Sequence, residues 1–149
     1  MKYLSSFTSP LGHLSLVAKD DILVELRFAS ASQSLKNPLL KEAEKQLQAY
    51  FKGKIRKFDL PYKINGSDFQ KQVLTAASQI EYGHTISYGE LAKKIGKPNS
   101  AQAVGQALAS NSLPIIIPCH RIIAKNGLGG YNGSLWRKSF LLNFEKINS

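Results

Sequence analysis

The sequence predicts an α+β chain in two parts: a small, strand-first N-terminal part and a mainly helical C-terminal part that contains a helix-turn-helix. Three observations carry this. Residues 1–30 alternate with a period of two between turn signals, whereas apolar residues after Gly66 recur at helical spacing. Two capping boxes, Ser67-x-x-Gln70 and Ser87-x-x-Glu90, mark helix starts in the second part. The texture changes near 60–66, so the expected domains are 1–62 and 63–149.

Taken in order, Lys2 to Thr8 reads as a strand, Ser9-Pro10-Leu11-Gly12 as a turn, and His13 to Ala18 as a second strand. Asp20-Asp21 turns the chain into Ile22 to Phe28, completing a meander. Leu39, Leu40, Ala43, Leu47, Tyr50 and Phe51 predict a helix from Pro38 to about Phe51, stopped by Gly53. A further strand is expected around Lys54 to Ile64 before Asn65-Gly66 breaks the pattern. The first capping box opens a helix with Phe69, Val73, Leu74, Ala77 and Ile80 inward, closed by Tyr82-Gly83. The second opens a short helix ending at Gly96, and a third helix runs from Ala101 to about Ala109, giving the helix-turn-helix outline. The last helix is expected from Ser134 to Lys146, with Leu135, Phe140, Leu141, Leu142 and Phe144 as its apolar side. His13 and His84 are expected in turns.

Lys and Arg total 20 against 10 for Asp and Glu, which favours a polyanionic partner but also fits a lysine-rich surface. No apolar run approaches the ~20 residues of a membrane span, and the first residues lack the apolar region of a signal peptide. A cytoplasmic location (nuclear in a eukaryote) and no membrane partner are expected. A single cysteine excludes a disulfide within the chain and a zinc site built on several thiolates. The third helix, Ala101 to Ala109, is uncharged and built of small side chains. It suits close packing in a core or close approach to a minor groove, and spacing does not separate the two.

The chemistry concentrates in Asn111-Ser112-Leu113-Pro114-Ile115-Ile116-Ile117-Pro118-Cys119-His120-Arg121. A buried-looking run, Ile115 to Ile117, delivers the only thiol beside an imidazole and a guanidinium. Neighbouring cationic or imidazole groups lower a thiol pKa from about 8.5 and raise its nucleophilic thiolate fraction. Taken alone, the pair also fits a buried, inert cysteine.

Pro118-Cys119-His120-Arg121, preceded by Ala103-Val104-Gly105 and Asn111, resembles the O6-alkylguanine-DNA alkyltransferases. The resemblance runs from residue 67 to 145 and includes Ile86-Ser87-Tyr88-Gly89, Gly130-Tyr131 and Glu145. It implies a ribonuclease H-like N-terminal domain and a C-terminal domain that binds duplex DNA through the minor groove as a monomer. The implied reaction is direct, irreversible transfer of an alkyl group from O6-alkylguanine to Cys119, needing no cofactor or metal. The implied catalytic residues are Cys119, His120, Glu145, Tyr88 and Asn111. Gly129, Gly130, Tyr131 and Asn132 would line the base pocket. Tyr88, Gly89, Ser100, Ala101, Gln102, Gly105, Arg121 and Lys125 would touch DNA.

Two positions depart from the family pattern. Gln102 stands where members usually carry an arginine that fills the gap left by the rotated base, and Asn132 with Ser134 replaces a small residue and a glycine pair. The competing functions are a lesion sensor or regulator that binds DNA without repair, and a thiol hydrolase using Cys119 and His120.

Overall fold

Alternation in the first thirty residues becomes a three-stranded antiparallel meander in the computed structural model, which describes residues 1–132 and 134–149. The chain divides into two units, Met1–Lys63 and Ile64–Ser149. In the first, β1 (Lys2–Ser9), β2 (Gly12–Lys19) and β3 (Ile22–Arg27) are ordered β1-β2-β3. The first turn is closed by Ser9, whose Oγ accepts from Leu11 N at 3.0 Å. The second turn places Asp20 at φ 53, a left-handed conformation that aspartate tolerates in tight hairpins. His13 falls in β2 and not in the turn, because the strand begins one residue earlier, at Gly12. As the central strand, β2 is buried from Leu14 to Ala18, which explains its weak alternation.

Helix α1 (Pro38–Phe51) begins where Asn37 caps Leu40 N at 2.9 Å and buries Leu40, Ala43, Leu47 and Tyr50. Burial of each leucine stabilises by about 1.5–3 kcal/mol. Beyond Gly53 the expected strand does not form. Leu23 and Tyr62 make a single bridge, with Leu23 N donating to Pro61 O at 2.9 Å. Pro61 has no N–H with which to extend the ladder.

In the second unit both capping boxes are present in full, at Ser67/Gln70 and Ser87/Glu90. They open α2 (Asp68–Ser78) and α3 (Tyr88–Lys94). Gly96, at φ 77, turns the chain toward α4 (Ala101–Ala109). Helix α4 packs one face into the core and leaves the other open. Val104, Ala107 and Leu108 face the core against α2 and α3, while Gln102, Ala103 and Gln106 are exposed. Ile115 to Ile117 is buried but forms no strand; Ile115 sits at φ 74, costly for a β-branched residue. The conformation is held by Asn111, whose Nδ2 donates to Ile117 O and whose Oδ1 accepts from Leu113 N, both at 2.9 Å.

A 3-10 turn (Cys119–Arg121) then runs into β5 (Ile122–Ile123), which pairs in parallel with β4 (Ile86–Ser87). Helix α5 (Leu135–Asn148) buries Lys138, Leu141 and Glu145, an i, i+3, i+7 stripe centred on two charged residues. Leu141 is buried as expected, whereas Leu135, also expected inward, is 53% exposed, because it lies off the stripe that meets the core. No helix among the described residues is long and apolar enough to cross a membrane.

Candidate active site

Cys119 forms the floor of a cavity of about 510 Å³ whose walls come from three places in the chain. Tyr88 opens α3; Gln102, Gly105 and Gln106 lie along α4; Gly130, Tyr131 and Asn132 follow β5. The short β4–β5 pairing brings these together, since Tyr88 directly follows β4 and Cys119 lies three residues before β5.

Behind the thiol is a buried ion network. His120 Nε2 lies 2.8 Å from Glu145 Oε2, with the two side chains 0% and 1% exposed. Arg121 Nε donates to Glu145 Oε1 at 2.8 Å, Nη2 to Oε2 at 3.0 Å, and Nη1 to Ile80 O at 2.6 Å. Arg121, expected at the DNA surface, is therefore a buried strut, and its donors are committed inward. Burial alone would raise the Glu145 pKa, but hydrogen bonds and charge from His120 and Arg121 outweigh it and hold the carboxyl well below its ordinary range. Burial lowers the His120 pKa against the pull of Glu145, so the imidazole is neutral near pH 7. With Nε2–H directed at Glu145, the buried Nδ1 keeps its lone pair.

Burial raises the pKa of Cys119, while Asn111 and the charge of Lys138 oppose the shift. Lys138 was not anticipated from the sequence. It is fully buried, and its Nζ donates to Ile122 O at 2.7 Å and to Gly130 O at 3.0 Å. Nζ also lies 5.7 Å from the centre of the Tyr88 ring. Burial brings its pKa down to about 8, against the opposing effect of Cys119. Gly130 N donates to Tyr88 Oη at 3.1 Å, and Asn132 donates from its amide to Ala109 O. The wall after β5 is thus tied to α3, α4 and α5. Burial, then the proximity of Cys119, pushes the Tyr131 phenol well above its ordinary value.

Gly129, at φ 76, is pressed against Tyr88: a Cβ there would fall on the hydroxyl and lie 2.7 Å from ring carbon Cε2. Gly129→Ala is expected to displace Tyr88 and lower cavity-dependent reactivity at least tenfold, measurable as the rate of Cys119 alkylation. Of the expected DNA-facing residues, Gln102 is exposed and Gly89, Ser100, Ala101 and Gly105 are half-buried around the α3–α4 turn. Lys125 is exposed beside the start of α3, in a second groove with Gly89 and Lys93. No group of three metal-binding side chains clusters among the described residues.

Two family descriptions divide this chain between them. Residues 68–147 match the DNA-binding domain of 6-O-methylguanine DNA methyltransferase, and residues 2–64 match its ribonuclease-like domain. The chain belongs to the 6-O-methylguanine DNA methyltransferase family. Among its relatives, the methylated-DNA–protein-cysteine methyltransferase of Methanosarcina acetivorans is 40% identical, over 96% of this chain and 97% of its own. The constitutive methylated-DNA–protein-cysteine methyltransferase of Bacillus subtilis is 38% identical, over 99% and 98%. The fold agrees with Mycobacterium tuberculosis OGT, solved in complex with DNA, at a TM-score of 0.89 and 40% identity, covering 98% of this chain and 94% of that one. As members of this methyltransferase family, all three align with this chain over nearly its full length.

Proposed function

We propose that the protein repairs O6-alkylguanine in duplex DNA by moving the alkyl group onto Cys119 in a single, irreversible turnover. The observation that carries this reading is a buried thiol at the floor of a base-sized cavity with a neutral imidazole and a paired carboxylate behind it. Ile64–Ser149 supplies both DNA binding and alkyl transfer, acting as a monomer on the minor groove, where the small exposed residues of α4 permit close approach. The lesion rotates out of the stack into the cavity.

His120 Nδ1, through one water, takes the thiol proton, and Glu145 stabilises the imidazolium that results. Thiolate Sγ attacks the alkyl carbon; the S–C bond forms as the C–O6 bond breaks, and its electron pair leaves with the guanine. Tyr88 Oη accepts a hydrogen bond from Gly130 N and so retains its own proton to give to the departing base. Lys138 favours the thiolate and fixes the cavity wall through Gly130 O. Asn111 braces the turn that presents Cys119.

Incubation with duplex DNA containing O6-methylguanine, followed by intact mass measurement, tests this. A gain of one methyl that is lost in Cys119→Ala is expected. DNA binding without mass gain would identify a sensor, and repeated turnover of a small ester would identify a hydrolase. Gln102 brings no charge or guanidinium plane to the vacated stack. Gln102→Arg is therefore expected to tighten lesion-duplex binding several-fold and speed transfer; unchanged affinity and rate would refute this.

A further inference from the structure

Lysines on the first unit form a surface that the transfer chemistry does not use. Lys41, Lys45 and Lys52 fall with Gln48 in one narrow sector of α1 and its C-cap, opposite the buried Leu40, Ala43, Leu47 and Tyr50. Lys54 and Lys57 continue the sequence past Gly53. All five are exposed, and none makes an ion pair among the described residues.

Of the two acids on α1, one is neutralised by a lysine outside the ridge and the other keeps its charge beside it. Glu44 pairs with Lys36 at 3.0 Å, and Glu42 accepts from Gln46 at 3.2 Å. At a rise of 1.5 Å per residue the helical part of this ridge is about 16 Å long. That equals the axial rise of about five base pairs of duplex DNA, long enough for several backbone phosphates. Like charges at i, i+4 destabilise a helix, so a polyanion laid along the ridge would relieve a cost the isolated unit carries.

We infer that this lysine ridge is a second DNA-backbone contact, independent of sequence and lesion, made by the unit that carries no transfer chemistry. The inference rests on the repair reading above for its partner. The three lysines of this sector, Lys41, Lys45 and Lys52, are changed to Gln in the full chain. A control of equal charge loss changes the exposed Lys2, Lys19 and Lys63 to Gln.

Binding to undamaged duplex is measured between 50 and 200 mM salt. Each phosphate left without its lysine flattens the slope of log K against log salt by about 0.9. With three lysines changed, the ridge variant is expected to flatten by about 2.7, a salt response roughly 40-fold smaller over that range. The control is expected to change by less than half a unit. Equal flattening in both variants, or none in either, would overturn the ridge. Methyl transfer at saturating lesion DNA is measured alongside: its absence in the unaltered protein sinks the repair reading, separately from the ridge.

Discussion

Glu145→Gln is expected to slow methyl transfer by about 10²–10⁴-fold, the range that a positioned acid–base group contributes. The substitution preserves size but removes the charge that orients His120 and would stabilise the imidazolium. Glu145→Ala is expected to do further damage, because it leaves the Arg121 guanidinium buried without its carboxylate. Breaking a buried pair in this way costs about 3–5 kcal/mol, a fall in melting temperature on the order of 10 °C. A Glu145→Gln protein transferring at the unaltered rate would remove Glu145 from the relay. The same network sets acid stability. The Glu145 carboxyl lies below its unfolded value, so its stabilisation is full above about pH 4–5 and is lost as pH falls. His120, also lowered, contributes in the same direction below about pH 6.5. Denaturant midpoints should therefore fall steadily from neutral pH into the acid range.

Lys138→Met is expected to lower transfer at least 100-fold while costing little stability. Two carbonyls, Ile122 O and Gly130 O, lose a donor at about 1–3 kcal/mol each. Removing a buried ammonium offsets much of that. The chemical loss is not offset, since with His120 neutral before proton transfer Lys138 is the charge that favours the Cys119 thiolate. The pH profile separates this from a packing effect. With Lys138 titrating at about 8, transfer in the unaltered protein should stop rising, then fall, as pH passes that value and the charge is lost. The methionine variant should show no such decline. An unchanged rate and profile would refute the role.

Elements with local signatures were legible in the sequence. Both capping boxes, the helix start at Pro38 and the glycine stops at Gly53 and Gly96 involve neighbours within four residues. The family also followed from a contiguous motif. What was not legible depends on long-range pairing. The buried face of α5 is shared by Leu141 with Lys138 and Glu145, two charged residues that an apolar stripe does not reveal. Arg121 read as a surface cation because its partners, Ile80 and Glu145, lie 41 and 24 residues away. Ile115 to Ile117 read as buried, which it is, but its turn was not legible because it depends on a side chain, Asn111, four or more residues upstream.

The β4–β5 pairing has a kinetic consequence. Two residue pairs, Ile86 with Ile122 and Ser87 with Ile123, set Tyr88 against Cys119 across more than thirty residues of chain. Such a closure loses entropy before its contacts compensate, whereas helices with their own caps form locally and fast. Helical content should then return early in refolding, and a thiol able to accept an alkyl group should return late. Reactivity of Cys119 would thus time the last long-range step of folding.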